Sequence, residues 1–236
     1  MRVFAGPNGS GKTTIVNRLR SEIGFGVYVN ADDIERTLAI SKVLLFSDYQ
    51  LNINEELIQN YFRNSTFSPI KRNELDLWSK LKVIDNVLRI ETKVDSYLAA
   101  DLAEFIRQQL LMADISFTYE TVMSHQSKID FLKEAQENGY RVYLYFIATE
   151  YPEINISRVN IRVAQKGHFV SPETITDRYY KSLNQLKSAI KLSNRAYLWD
   201  NSSSAAILFA EITDGNEVAI IDPDKVPNWF LKHVVD

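Results

Sequence analysis

The chain has 236 residues, of which 45% are hydrophobic and 24% charged, an ordinary balance for a globular protein with a buried core. The formal net charge of -3 argues against a strongly basic nucleic-acid-binding domain. There is no cysteine, which excludes disulfides, cysteine-based zinc sites and thiol nucleophiles. Neither a signal peptide nor an apolar stretch of the roughly 18 residues that a membrane span needs is visible, so no membrane contact and a cytoplasmic location are expected.

Strand and helix signals alternate along most of the chain. A β-branched and aromatic run at residues 2–5 predicts a buried first strand, and the apolar run at 141–148 is typical of a central parallel strand covered on both faces. Further strands are predicted at 27–30, 116–120, 196–199, 206–212 and 217–221. Helices are predicted at 13–21, from 32 onwards, and at 96–113, 128–138, 152–165 and 172–193. This order predicts an α/β fold with a mostly parallel sheet.

Two segments depart from that alternation. Asp214 and Gly215 separate the last two strands, which is a hairpin signal. Residues 41–95 are predicted to be a helical insertion, with helices at 54–62 and 73–88 and a loop at 65–69. Because no linker rich in glycine or serine is present, a single domain over residues 1–236 is expected.

The segment GPNGSGKT, which starts at Gly6, matches the phosphate-loop pattern G-x-x-x-x-G-K-[ST]. It lies between a predicted strand and a predicted helix, where backbone amides and the helix N-terminus form an anion site. In such loops the lysine reaches the β- and γ-phosphates and the hydroxyl ligates Mg²⁺. The residues predicted to bind the nucleotide are Gly6, Pro7, Asn8, Gly9, Ser10, Gly11, Lys12, Thr13 and Thr14. The fold is therefore expected to be a three-layer sandwich of the P-loop NTPase or kinase type.

Acidic residues follow two of the predicted strands, where ligands of α/β proteins bind. Asp32 and Asp33 come after the second strand. A carboxylate there can take a proton from a substrate hydroxyl, or both acids can simply cap a helix. Glu120 ends the next strand and can bind a substrate hydroxyl, hold Mg²⁺ through water, or cap the following helix.

Basic residues gather between 158 and 178, on or beside two predicted helices joined by a glycine-containing segment. Arg158 and Arg162 share one helical face because they are four residues apart. Arginines there, with Lys166 and Arg178, suit a lid over the γ-phosphate, and at least one of the three arginines is predicted to be catalytic. The alternative is a solvated basic surface. His168 alone is a weak signal.

Asn201 lies in the turn that follows the last predicted parallel strand. Its amide can hydrogen-bond a nucleotide base or tie down the phosphate loop. Polar turns of this kind also commonly bond their own backbone, so a purely structural role stays open.

Five segments occur in the order typical of the zeta-toxin family of P-loop kinases, and the sequence resembles the short chromosomal branch of that family. They are GPNGSGKTT, NADDI, YETVMSH, RVAQKGHFVSPETITDRYYKSL and WDNS, and the resemblance covers residues 1–40 and about 95–203. It implies an ATP- and Mg²⁺-dependent kinase that phosphorylates the 3′-hydroxyl of UDP-N-acetylglucosamine and is restrained by a small antitoxin protein.

The resemblance also implies a role for each matching residue. Lys12 and Thr13 are the Walker residues, with Thr13 on the metal, and Asp32 is the general base. Glu120 and Thr121 hold the sugar nucleotide. The two phosphate-binding arginines fall in the lid, with Arg162 the first choice and Arg178 the second. Asp33 is expected on the substrate side, and Arg158 and Asn201 on the nucleotide side.

The leading hypothesis is therefore an ATP-dependent kinase for a sugar nucleotide or a related small molecule. One alternative is a polynucleotide end kinase, against which the acidic charge weighs. Another is an ATP-binding switch or interaction module that transfers no phosphate, with the insertion at 41–95 as its partner surface.

Overall fold

A computed structural model describes residues 1–165 and 169–235. The chain divides into two compact units. The core unit comprises Met1–Gly24 and Tyr119–Asp236, and the middle unit comprises Phe25–Thr118.

Ten strands and nine α-helices are present in the described residues. The strands are β1 (Arg2–Ala5), β2 (Val27–Val29), β3 (Val43–Leu45), β4 (Leu81–Ile84), β5 (Val87–Ile90), β6 (Phe117–Thr121), β7 (Tyr143–Ala148), β8 (Arg195–Asp200), β9 (Ile207–Thr213) and β10 (Glu217–Ile220). The α-helices are α1 (Lys12–Leu19), α2 (Ala31–Ser41), α3 (Glu55–Asn64), α4 (Ser68–Lys71), α5 (Ser96–Met112), α6 (Gln126–Glu137), α7 (Pro152–Ala164), α8 (Pro172–Lys191) and α9 (Asn228–Phe230).

The core unit is built on a mostly parallel sheet with the order β10-β9-β8-β7-β1-β6, where β6 contributes its end. Strands β1, β7 and β8 run parallel, whereas β9 and β10 run antiparallel. The predicted α/β fold and C-terminal hairpin are thus confirmed, and Asp214 and Gly215 both take left-handed angles in the hairpin turn. Strand β7 is almost fully buried, as its apolar sequence predicts.

The parallel strands bring three loops to one edge of the core sheet. β1, β7 and β8 all end at the same edge, so the segments that start at Gly6, Thr149 and Asn201 are neighbours. The Asn201 N–H donates to the Ala148 carbonyl over 2.8 Å. This is the edge at which parallel sheets bind their ligands.

The insertion at 41–95, predicted to be helical, contains strands as well as helices. The middle unit contains a three-stranded antiparallel sheet of order β3-β5-β4, and the helix predicted at 73–88 is replaced by a 3₁₀-turn at Leu77–Lys80 and the β4–β5 hairpin. Asp85 and Asn86 both adopt positive φ, at 50° and 63°, which two-residue hairpin turns require. Asn86 also bonds the backbone of two neighbouring loop residues through its side chain, so the turn is fixed by long-range contacts.

The remaining helices of the insertion follow the prediction more closely. The helix expected at 54–62 is present as α3, and the Asn54 side chain accepts a hydrogen bond from the Leu57 N–H at its start. The loop expected at 65–69 ends early, because Pro69 lies in the first turn of α4, a position that proline favours.

Two acidic residues of the middle unit, Glu74 and Asp101, are held by hydrogen bonds within that unit. Burial alone would raise the pKa of Glu74, but hydrogen bonds from Lys80, Arg72 and Thr92 lower it to about 2. The nearly buried Asp101 accepts hydrogen bonds from two serine side chains, a serine N–H and a tyrosine hydroxyl. These acids are therefore structural.

Candidate functional site

The phosphate loop connects β1 to α1 in the core unit. Its glycines Gly6, Gly9 and Gly11 all have positive φ, at 139°, 77° and 95°. Gly11 is the N-cap residue of α1, and no side chain caps that helix. The backbone amides and the positive end of α1 are therefore available to an anion.

Neighbouring backbone and side chains leave no room for a Cβ atom in this loop. A Cβ at Gly9 would lie 2.6 Å from the Asn155 carbonyl oxygen of α7, and one at Gly11 would lie 2.3 Å from the Asn201 Nδ2. Glycine is therefore required at these positions both by the positive φ angles and by the lack of space for a side chain. Both constraints restrict the loop to one backbone conformation.

We expect a Gly9→Ala variant to lose about 2 kcal/mol or more of unfolding free energy, since a left-handed alanine costs about 1–2 kcal/mol before any clash. Urea unfolding measures the loss. The matched control is Gly24→Ala, also in the core unit, where nothing lies within 4 Å of the new Cβ and a change within about 0.5 kcal/mol is expected. Equal stabilities of the two variants would contradict the packing described.

Lys12 is folded back onto the loop. Its Nζ donates to the carbonyl oxygens of Gly6 over 2.9 Å and of Pro7 over 3.0 Å. The ammonium group is half-buried with the loop, where it can exchange a carbonyl oxygen for a phosphate oxygen and gain a charge-assisted bond.

Thr13 and Glu120 meet beside the loop. The Thr13 hydroxyl donates to the Glu120 carboxylate, with Oγ1 3.0 Å from Oε2 and 3.3 Å from Oε1. Glu120 does not cap the next helix, because the N-cap of α6 is His125. The adjacent Thr121 hydroxyl accepts a hydrogen bond from the Met123 N–H over 3.1 Å. A hydroxyl next to a carboxylate supplies the hard oxygen donors that Mg²⁺ prefers.

Asn201 reaches the phosphate loop directly. Its Nδ2 donates to the Ser10 carbonyl oxygen over 2.8 Å. The sequence allowed this amide to bond a nucleotide base, the phosphate loop or its own backbone. The observed hydrogen bond matches the second of these roles. Pro7 and Ser10 are buried, and Asn8 Oδ1 is buried too, so the side chains at these three positions pack inward.

The arginines between 158 and 178 lie on two packed helices, α7 and α8. Arg158 is half-buried, and its Nη2 donates to the Ser203 carbonyl oxygen over 3.2 Å. Arg162 is exposed near the end of α7, and Arg178 is half-buried on α8. The predicted lid residues Lys166 and His168 lie outside the described residues.

Asp32 and Asp33 lie at the start of α2 in the middle unit. Neither carboxylate caps the helix, since the Asn30 side chain accepts from the Asp32 N–H over 2.8 Å and from the Asp33 N–H over 3.4 Å. Asp33 pairs with Arg36. Asp32 is exposed, and within the described ranges its carboxylate forms no hydrogen bond or ion pair. Its carboxylate is thus open to a substrate.

Sequence reasoning missed Tyr49, which lies on the 3₁₀-helix Phe46–Tyr49 beside β2. Burial, together with the negative charges of Asp48 and Asp33, raises its pKa to about 12. The hydroxyl therefore stays protonated and can donate a hydrogen bond near the start of α2. No motif indicates it, because its neighbourhood depends on how the insertion folds.

Membrane-spanning helices and metal-binding clusters of acidic or histidine side chains are both absent from the described residues. None of the helices in residues 1–165 and 169–235 is both long and apolar enough to cross a bilayer. In the same part of the chain, no group of three or more histidine, aspartate or glutamate side chains is placed to hold a metal ion.

Comparison with solved structures supports the fold. The complex of AvrRxo1-ORF1 with AvrRxo1-ORF2 and ATP matches with a TM-score of 0.57 at 13% identity, over 94% of this chain and 60% of that chain. The same complex with sulphate ions gives a TM-score of 0.57 at 14% identity, over 94% and 61%. This chain thus spans about three fifths of the matched protein.

Sequence comparison identifies the family. An uncharacterized protein of Haemophilus influenzae is 38% identical over 65 residues, which are 28% of this chain and 46% of that protein, so the match spans about half of the relative. The family model described as "Zeta toxin" matches residues 93–212, just over half of the 236 residues. The chain belongs to the zeta toxin family.

Proposed function

We propose that this protein is an ATP-dependent phosphotransferase that moves the γ-phosphate to a hydroxyl group of a small-molecule acceptor. The observation that carries the proposal is the phosphate loop at the edge of the core sheet, with Lys12 folded onto it and Thr13 bonded to Glu120. Membership of the zeta toxin family supports it. For the nucleotide, the matched AvrRxo1-ORF1:-ORF2 structure contains ATP.

Mg²⁺ is the proposed cofactor, held by Thr13 directly and by Glu120 directly or through water. The hydroxyl and carboxylate oxygens fit this ion, and when bound it neutralises charge on the β- and γ-phosphates. The short contact between the two side chains favours a metal role for Glu120 over the sugar contact that the family resemblance implies. Thr121 and Asp33 remain proposed acceptor contacts.

Replacing Glu120 by glutamine is expected to raise the Mg²⁺ concentration needed for half-maximal activity by about 10- to 100-fold, the usual effect of losing a supporting metal partner. Titrating Mg²⁺ at saturating ATP measures it. The control is Glu137→Gln on the exposed face of α6, whose partner is Lys133. An unchanged Mg²⁺ requirement with a raised acceptor KM would instead place Glu120 on the acceptor.

The roles proposed for the remaining residues rest on the family resemblance. Asp32 is the proposed general base, and Arg162 and Arg178 are proposed to contact the transferring phosphate. Arg158 is proposed to lie on the nucleotide side, since it bonds Ser203 in the segment that also holds the phosphate loop.

The acceptor is proposed to be a sugar nucleotide such as UDP-N-acetylglucosamine, on the strength of the family resemblance. A small antitoxin protein is the proposed partner, and the chain of similar fold was solved in a two-component complex, AvrRxo1-ORF1:AvrRxo1-ORF2.

Incubation with γ-labelled ATP, Mg²⁺ and a bacterial metabolite extract tests the proposal. Label in a small molecule is the expected result, and UDP-N-acetylglucosamine as the only added acceptor then tests the finer claim. ATP that is bound but not consumed would favour a switch or interaction module. Label on oligonucleotide ends, with strongly salt-dependent binding, would favour a polynucleotide kinase.

A further inference from the structure

The segment that follows β8 is hydrogen-bonded to the phosphate loop through Asn201. Asn201 donates its side-chain amide to Ser10 and its backbone N–H to Ala148, both over 2.8 Å. The same amide nitrogen occupies the space beside Gly11. The shape of the loop therefore depends on where Asn201 is held.

Asp200 and Ser202 fix Asn201 from both sides. The Asp200 Oδ1 accepts from the Ser202 hydroxyl over 2.8 Å, and its Oδ2 accepts from the Ser202 N–H over 3.2 Å. The Ser202 oxygen in turn accepts from the Glu150 N–H over 2.8 Å. A single carboxylate thus closes a tight turn around Asn201 and joins it to the segment after β7.

The C-terminal helix α9 anchors that carboxylate. The Trp229 indole Nε1 donates to the Asp200 Oδ1 over 3.0 Å. The Trp229 ring is 3% exposed and packs against aromatic side chains at 146, 209 and 230, which sets the direction of its N–H. The Asn228 N–H donates to the Glu150 Oε2 over 3.2 Å, a second attachment of the same helix.

We infer that Trp229 and Asp200 are positioning residues of the nucleotide site, which hold Asn201 against the phosphate loop and so set its affinity for nucleotide. Neither side chain is placed on the nucleotide; each acts through Asn201. The expected effect on nucleotide affinity rests on the proposed function. The expected effect on the shape of the phosphate loop does not depend on it. The hydrogen bond to a charged acceptor makes Trp229 more than a packing residue.

The test compares Trp229→Phe, which removes the N–H and keeps most of the aromatic packing, with Asp200→Asn, which keeps the shape of the turn but removes its charge. We expect each to weaken MgATP binding in calorimetry by about five- to tenfold, from the loss of a bond to a charged group. The double variant should lose less than the product of the two, since both weaken the same interaction, one by removing the N–H donor and the other by removing the charge of the acceptor.

Ser193→Ala is the matched control. The buried Ser193 hydroxyl donates to Ala189 over 2.7 Å, near the start of β8 and hence at the opposite edge of the sheet. The control should bind MgATP like the wild type. MgATP affinity within twofold of the wild type in both folded variants overturns the inference, and if Trp229→Phe does not unfold cooperatively, Asp200→Asn decides alone.

A second readout separates this inference from the proposed function. Amide hydrogen exchange in the nucleotide-free protein reports the order of the phosphate loop directly. We expect faster exchange at residues 9–13 in Trp229→Phe and unchanged exchange in Ser193→Ala. Failure of the wild type to bind MgATP would sink the proposed function only, whereas unchanged exchange in Trp229→Phe would sink this inference.

Discussion

An Asp32→Asn variant is expected to lose about 10³-fold in kcat for phosphoryl transfer and to bind MgATP nearly as tightly as the wild type, because a general base contributes about 10²- to 10⁴-fold. Asparagine has the shape of aspartate but cannot take up the acceptor's proton. Helix α2 should form normally in the variant, since Asn30 provides its cap. Initial rates with a purified acceptor and calorimetry with MgATP measure the two quantities.

Asp33→Asn is the natural control for that experiment. It removes an exposed ion pair with Arg36, which is worth about 0–1 kcal/mol, so the fold should tolerate it. If Asp33 contacts the acceptor, this variant raises the acceptor KM and leaves kcat within a few-fold. Normal turnover by Asp32→Asn would remove Asp32 as the base, and a large kcat loss in Asp33→Asn would transfer that role to Asp33.

The sheet and the phosphate loop were predictable because their signals are local. Residues 2–5 were predicted as the first strand and form β1 with the same bounds, and the apolar run at 141–148 forms β7 from Tyr143 onwards. Glycine, proline and alternating apolar residues determine the backbone conformation of their immediate neighbours. Their effect can therefore be recognised in the sequence without a structure.

The β4–β5 hairpin and the partners of the site were not predictable. The turn at Asp85 and Asn86 carries only a weak signal, and its stabilising contacts come from residues 51 and 53, far along the chain. Asn201 and Ser10 are 191 positions apart, and Trp229 meets Asp200 only because α9 packs on the sheet. Such contacts follow from the tertiary fold, to which a single sequence gives no access.

Lys12→Ala is expected to weaken MgATP binding by about 100-fold or more, since the ammonium group forms charge-assisted bonds worth about 1.5–3 kcal/mol each with phosphate oxygens. The carbonyl oxygens of Gly6 and Pro7 are among the hydrogen-bond partners of Lys12, so its ammonium group already lies against the phosphate loop. Calorimetry with MgATP measures the binding, and Lys133→Ala on α6 removes an equal charge whose partner is the exposed Glu137.

The Lys12 and Asp32 variants together separate nucleotide binding from phosphoryl transfer. A kinase loses both with Lys12→Ala and only transfer with Asp32→Asn. A nucleotide-binding switch would lose binding with Lys12→Ala and show no effect of Asp32→Asn, having no transfer to lose. If the binding heat of MgATP were the same for Lys12→Ala as for the wild type, the triphosphate would bind elsewhere. The roles proposed for Thr13, Glu120 and Asn201 would then also be wrong, because each depends on a nucleotide in this loop.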